Sequence, residues 1–182
     1  MGTTATPAWA RRAAAVVLAG LGLWLAGCAS EDTAVEIVCP PARVLTDADR
    51  LVRFQGGSDL TDVDFEARLD QPFIACTFDE DSYTIEADLA LRFLLARGPA
   101  DADREAKFEY FVAITTVQGQ RVVAREEFGL IVPFEGNRTQ VAVTDEITPR
   151  IPLRATQTGA EYLVYVGFKL TPDEMSYNRS GG

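Results

Sequence analysis

Three cysteines carry the clearest chemistry in this sequence of 182 residues: Cys28, Cys39 and Cys76. A cysteine thiol can act as a nucleophile, accept an acyl group or form a disulfide. The chain contains no histidine, which excludes Ser-His-Asp and Cys-His catalytic arrangements and imidazole metal sites. We therefore expect the thiols to serve attachment and stability in a protein that is not an enzyme.

Acidic side chains are the second group that could do chemistry. Asp62, Asp64 and Glu66 alternate with apolar residues, so a strand would place them on one face, where hard oxygen ligands could bind Ca²⁺. The segment lacks the glycine and the ligand spacing of an EF-hand loop, which favours a solvated strand face. A turn is favoured in the same way for the acidic run from Asp79 to Asp81. We expect no metal and no other cofactor.

Arginines and aromatic residues offer two weaker candidates. Arg43, Arg50 and Arg53 could bind a carboxylate or phosphate through their planar guanidinium groups. Pairing with the many acidic residues of the chain is the favoured role. The aromatic residues between positions 108 and 111 lie on a predicted strand, and we expect them in the core.

The elements that position these residues begin with an export signal. Arg11 and Arg12 precede an apolar segment over residues 13–25, and Gly27 supplies the small residue that a signal peptidase requires. The segment is shorter than the roughly 20 residues that span a bilayer as a helix. This pattern predicts a signal peptide over residues 1–27, although a retained membrane helix stays open as an alternative.

The sequence Leu25-Ala26-Gly27-Cys28 resembles the lipobox of bacterial lipoproteins. The resemblance implies that the Cys28 thiol is acylated and that Cys28 becomes the first residue of the mature chain. Ala29 follows the cysteine, and in that family a residue other than aspartate there implies transfer to the outer membrane. An ordinary signal peptide with an incidental cysteine is the alternative.

The charge of the chain after residue 27 limits its partners. Its 15 basic and 27 acidic residues give a formal charge of −12. Nucleic acid and anionic lipid would repel such a chain, so we expect no nucleic-acid partner and membrane attachment only through a lipid on Cys28. The acidity favours solubility or a basic partner.

Cys39 and Cys76 are the pair left over if Cys28 is acylated. In an oxidising periplasm such a pair predicts a disulfide, and two buried free thiols are the alternative. The bridge would fasten the start of the folded domain to a strand that carries Cys76.

A period of two in hydrophobicity predicts the domain itself. After a polar tether over residues 28–36, residues 37–182 contain seven or eight alternating segments, typical of an all-β antiparallel sandwich. Helical start signals predict one or two short helices, at residues 46–54 and after Thr171. Tyr162 opens a late strand in a way that is similar to the tyrosine corner of immunoglobulin-like and fibronectin-like domains.

These features favour one function and leave others open. The leading hypothesis is a non-catalytic outer-membrane lipoprotein, facing the periplasm, whose domain binds another envelope protein as an interaction or assembly accessory. A receptor for a small ligand or metal is the alternative, and a carboxylate-based hydrolase is the third. An unpaired sheet edge would favour the first, a concave apolar pocket the second, and two facing acids in a cleft the third.

Overall fold

Alternating apolar residues become strands along most of the chain. The computed structural model describes residues 38–118, 121–154 and 156–180, and there it contains ten strands, two 3-10 turns and one helix. The strands are β1 (Ala42–Val44), β2 (Arg50–Phe54), β3 (Val63–Leu69), β4 (Phe73–Asp79), β5 (Thr84–Arg97), β6 (Glu105–Thr116), β7 (Val122–Pro133), β8 (Gln140–Ile147), β9 (Arg150–Pro152) and β10 (Tyr162–Phe168). The 3-10 turns are Leu60–Asp62 and Gly159–Glu161, and the helix is α1 (Pro172–Arg179). The predicted all-β sandwich with a short helix is confirmed.

Two sheets form the sandwich. The four-stranded sheet has the order β1-β10-β6-β7, with β1 parallel to β10 and the other pairs antiparallel. In the six-stranded sheet the long strand β5 pairs β3 and β4 along one edge and β8 and β9 along the other, and β2 lies outside β3. Every pairing in this second sheet is antiparallel, so the parallel β1 is the one departure from the predicted antiparallel arrangement in the described residues.

The core lies between the inward faces of the two sheets. The inward residues of β5 that the sequence predicts are all buried: Ile85, Ala87, Leu89, Leu91, Phe93 and Leu95. Phe93 contacts the rings of Phe108 and Phe168 on the opposite sheet, at centroid distances of 5.2 and 5.7 Å. These ring contacts join the two sheets at the centre of the sandwich.

The helix predicted over residues 46–54 is wrong. The chain turns after Leu45, with Asp47 in the left-handed conformation at φ 67°, and Arg50–Phe54 forms β2. Strand β2 covers the edge of β3, where Leu51 lies opposite Ala67 and is fully buried. Tertiary pairing therefore overrides a local capping signal, which is a weak determinant in a segment this short. Strands β1 and β2 bring the described strands to ten, above the seven or eight that the sequence predicts.

The predicted C-terminal helix is confirmed as α1. Thr171 caps it by accepting a hydrogen bond from the Glu174 N–H, and Pro172 occupies the first turn. Asn178 donates to the carbonyl oxygens of Asp47 and Arg50, at 2.9 and 2.7 Å. The helix is thereby fixed to the start of β2.

The predicted disulfide between Cys39 and Cys76 is confirmed, with a Cα–Cα distance of 5.6 Å. Cys39 precedes β1 in the four-stranded sheet, whereas Cys76 lies on β4 in the six-stranded sheet. The bridge therefore links the two layers on the side of the sandwich where β1 and β4 lie.

The described residues begin after the N-terminal features that the sequence predicts. Residues 1–37, which include the predicted signal peptide, Cys28 and the tether, lie outside the described residues. The described residues from Val38 onward belong to one compact unit. Within those residues, no helix has the length and apolar character needed to cross a membrane.

The Cys39→Ala/Cys76→Ala variant is expected to have a free energy of unfolding about 4 kcal/mol lower than that of the wild type. The bridge closes a loop with a sequence separation of 37 residues, and in the chain-entropy model this restricts the unfolded state by about that free energy. Urea unfolding of this variant and of the wild type measures the difference. Peptide mapping without reductant is the control, since a bridged pair yields one linked peptide. Free alkylation of both thiols in protein isolated without reductant would contradict the expectation.

Candidate interaction site

Strands β7 and β8 leave one side of the sandwich open. Each of them pairs with a single neighbour, β7 with β6 and β8 with β5, so in the described residues their outer edges have no strand partner. Strand β7 is 12 residues long and exposes three large apolar side chains, those of Val122, Val123 and Ile131. A long unpaired edge with exposed apolar residues is a template for pairing with another chain.

A groove of about 430 Å³ lies between β7 and the end of β8, where residues 147–150 lead into β9. Its floor is Val112 and Ile114 of β6, both 4% exposed. Ala124 and Phe128 of β7 form one wall, and Ile147 at the end of β8 stands opposite. We call this feature the β7–β8 groove. Its walls are inward-facing side chains that a further strand would otherwise cover.

Of the charged residues that line the β7–β8 groove, Glu126 is the one that lies on an inward face. Glu126 lies opposite Val112 in the strand register, so its side chain is on the inward face of β7. No hydrogen bond or ion pair joins it to another described residue. Two arginines also border the groove, but both lie on outward faces and are paired: Arg125 with Glu127 at 3.1 Å and Arg150 with Glu86 at 2.6 Å.

A second inward carboxylate lies deeper between the sheets. Asp145 of β8 accepts a hydrogen bond of 2.6 Å from the hydroxyl of Tyr110 on β6, so this bond spans the two sheets. Burial of the phenol and its bond to the Asp145 carboxylate raise the pKa of Tyr110 well above its ordinary value. The Tyr110 ring stacks on Phe128 at 5.1 Å, which connects this pair to the wall of the β7–β8 groove.

Comparison with protein-family models, with curated protein sequences and with solved structures finds no match to this chain. The arrangement of its side chains therefore carries the functional argument.

The acidic face of β3 is engaged in local pairing. Glu66 accepts hydrogen bonds from Arg50 and Arg68, at 3.0 and 2.9 Å, and Asp64 accepts one from Gln55 at 3.2 Å. The prediction that Asp62 shares this strand face is wrong: Asp62 ends the preceding 3-10 turn, where its carboxylate accepts a hydrogen bond of 3.1 Å from the Asp59 N–H. In the part of the chain that the structure describes, no three acidic or cysteine side chains are grouped to hold a metal ion.

Two of the other sequence candidates, Arg53 and Asp79, have local partners. Arg53 lies 3.1 Å from Glu174 of α1, whereas Arg43 lies apart on the short strand β1. Asp79 begins the predicted turn, where its hydrogen bonds from the side chain and backbone of Ser82 lower the pKa of its carboxyl. These contacts stabilise the fold locally and do not assemble a site.

The residues of the β7–β8 groove were missed by sequence reasoning, although one signal was present. The inward residues of β8 are Val141, Val143, Asp145 and Ile147, so an acid interrupts an apolar series. Glu126 interrupts the inward series of β7 in the same way. A charge at an inward position of a strand indicates an edge that is not fully covered.

We expect Tyr110 to stay protonated up to about pH 11, because its raised pKa lies above that of an exposed tyrosine. The chain has five tyrosines. At that pH the folded wild type and a Tyr110→Phe variant should show equal tyrosinate absorbance. In denaturant at the same pH the wild type should show one tyrosinate more than the Tyr110→Phe variant, because Tyr110 is then exposed. This measurement is the control. A folded wild type with more tyrosinate than the variant would contradict the buried bond.

Replacing Asp62 and Asp64 with asparagine is expected to change the free energy of unfolding by less than about 1 kcal/mol, because each asparagine keeps one carbonyl oxygen that can accept the single hydrogen bond made at its position. Burial, with Asp101 and Asp103 nearby, raises the pKa of Asp64. Its contribution to stability is therefore present at low pH and is lost as the pH rises through the folded-state pKa. The free energy of unfolding of the variant, relative to that of the wild type, should therefore rise slightly as the pH increases from about 3 to about 7.

Urea unfolding across that pH range measures the change. A calcium-dependent rise in the melting temperature of the wild type that is absent from the variant would instead assign these carboxylates to a metal site.

Proposed function

We propose that this protein is an outer-membrane lipoprotein, anchored by acyl chains on Cys28, whose sandwich faces the periplasm and binds another envelope protein without catalysing a reaction. The lipobox resemblance supports the anchor. The β7–β8 groove, with its unpaired strand edges, is the observation that carries the binding role. Within the described residues, the acidic side chains that sequence reasoning singled out lie in turns or make local hydrogen bonds and ion pairs.

The geometry of the open side suits an interaction with protein. The edge of β7 presents backbone N–H and C=O groups that a partner strand can pair, and main-chain hydrogen bonds of this kind supply affinity. The adjoining groove adds an apolar surface that takes side chains from the same partner. A lipid anchor of several acyl chains keeps the domain at the membrane, where such partners are concentrated.

A receptor for a small ligand is the second candidate. The groove volume of about 430 Å³ lies within the range of ligand pockets, and its walls are mostly apolar. The groove is open to solvent beside the unpaired edge of β7, which suits an added strand, whereas most small-ligand pockets enclose a compact molecule. The protein-binding role is therefore preferred.

Anchoring is expected to depend on the Cys28 thiol. A Cys28→Ser variant should leave the outer-membrane fraction, because the apolar segment alone is too short to span the bilayer. An Ala29→Asp variant is the matched control, and it should stay membrane-bound but in the inner membrane. Membrane fractionation with quantitative blotting measures both. Full retention of the Cys28→Ser variant in the outer membrane would contradict the lipid anchor.

Partner binding is tested in cells by placing a photo-reactive amino acid at Phe128, in the β7–β8 groove. We expect a crosslinked product with an envelope protein. The control position is Thr77, exposed on the outward face of β4. Equal products at both positions, or none at Phe128, would contradict the proposed role of the groove.

A further inference from the structure

We propose that the partner of the β7–β8 groove is an extended segment of another protein with the pattern apolar–x–Lys/Arg–x–apolar, which pairs as an added strand along β7. This inference rests on the proposed protein-binding function and names the chemistry of the partner segment.

The backbone of β7 requires an extended partner. One edge of β7 is paired with β6 over its whole length, and the other edge faces no strand of the described chain. The alternating N–H and C=O groups of that edge can be satisfied in register by a second extended chain. A helix, whose backbone groups are already bonded internally, would leave them unpaired.

The register of β7 fixes the side-chain pattern of the partner. Ala124, Glu126 and Phe128 face inward at successive alternate positions. In an added strand, the residues beside them also face inward and are separated by one outward residue each. The residues beside Ala124 and Phe128 cover the apolar walls of the groove, so apolar side chains fit there. The residue between them lies beside Glu126.

Charge selects the central residue of the segment. Glu126 has no described partner, and Asp145 engages only the Tyr110 hydroxyl, so the inward charge of the open side is negative. The bordering arginines are neutralised by Glu127 and Glu86 on outward faces. A lysine or arginine beside Glu126 forms an ion pair, whereas an acid there is repelled. The excess of acidic residues in the whole chain acts in the same direction.

The experiment uses the full chain in detergent and a fluorescently labelled peptide of sequence Thr-Val-Thr-Lys-Thr-Val-Thr. Fluorescence anisotropy measures its dissociation constant. We expect saturable binding that weakens at least about tenfold when the peptide lysine becomes glutamate, because like charges then meet inside the groove. The Glu126→Lys variant should reverse this preference and favour the glutamate peptide.

Two controls separate the groove from general electrostatics. A Glu146→Lys variant makes the same change of charge on the outward face of β8, and it should alter the affinity by no more than about twofold. Two N-methylated peptides, blocked at alternate amides, test the strand pairing. One of them should lose binding, because only one set of amides faces β7.

Each opposing result overturns the inference. The absence of saturable binding, or equal binding by the two N-methylated peptides, would contradict an added strand. Equal effects of Glu126→Lys and Glu146→Lys would contradict the pattern. Sedimentation that shows a dimer lost in Glu126→Lys would assign the edge to a second copy of the chain. The proposed function fails separately, since a crosslink at Phe128 without peptide binding leaves the protein-binding role intact.

Discussion

The contact between the two sheets at Phe93 is the interaction on which the rest of the structure depends. Strand β5 pairs along both edges, so it fixes the positions of β3, β4, β8 and β9, and Phe93 holds this sheet against Phe108 and Phe168 of the other. Truncation of a buried phenylalanine costs about 3–5 kcal/mol. That is a large share of the roughly 5–15 kcal/mol that stabilise a domain. The β7–β8 groove is lined by residues of both sheets, so its shape depends on this packing.

The two sides of the sandwich are closed by different means. On the side of β1, the Cys39–Cys76 bridge links the sheets covalently, and Gln71 donates a hydrogen bond to the carbonyl of Ala42. On the other side, the bond from Tyr110 to Asp145 spans the sheets, and beyond it β7 and β8 stand apart. The chain thus fastens the side where β1 and β4 lie and leaves the opposite side available.

The period of two was enough to predict most strands, because each strand must bury one face. It located the inward series of β5 and the hairpin of β6 and β7, and a capping pattern located α1. It failed at β2, where burial against Ala67 of β3 outweighs a helical start signal. It could not locate the groove, since Glu126 and Ile147 become neighbours of one cleft only through pairings that are distant in sequence. Which strand edges stay unpaired is a property of topology, and local pattern does not encode it.

The charge at Glu126 resolves a conflict that any open strand edge creates. An apolar strand edge that can pair with another protein can also pair with a second copy of the same chain. Inward-facing charges on edge strands oppose such self-pairing. If two copies paired along this edge near Glu126, their two carboxylates would approach each other in a partly desolvated groove. Their electrostatic repulsion would destabilise the pair. A basic residue of a different protein removes that repulsion. The same side chain therefore disfavours self-association and favours a chosen partner, which is how repulsion contributes to specificity.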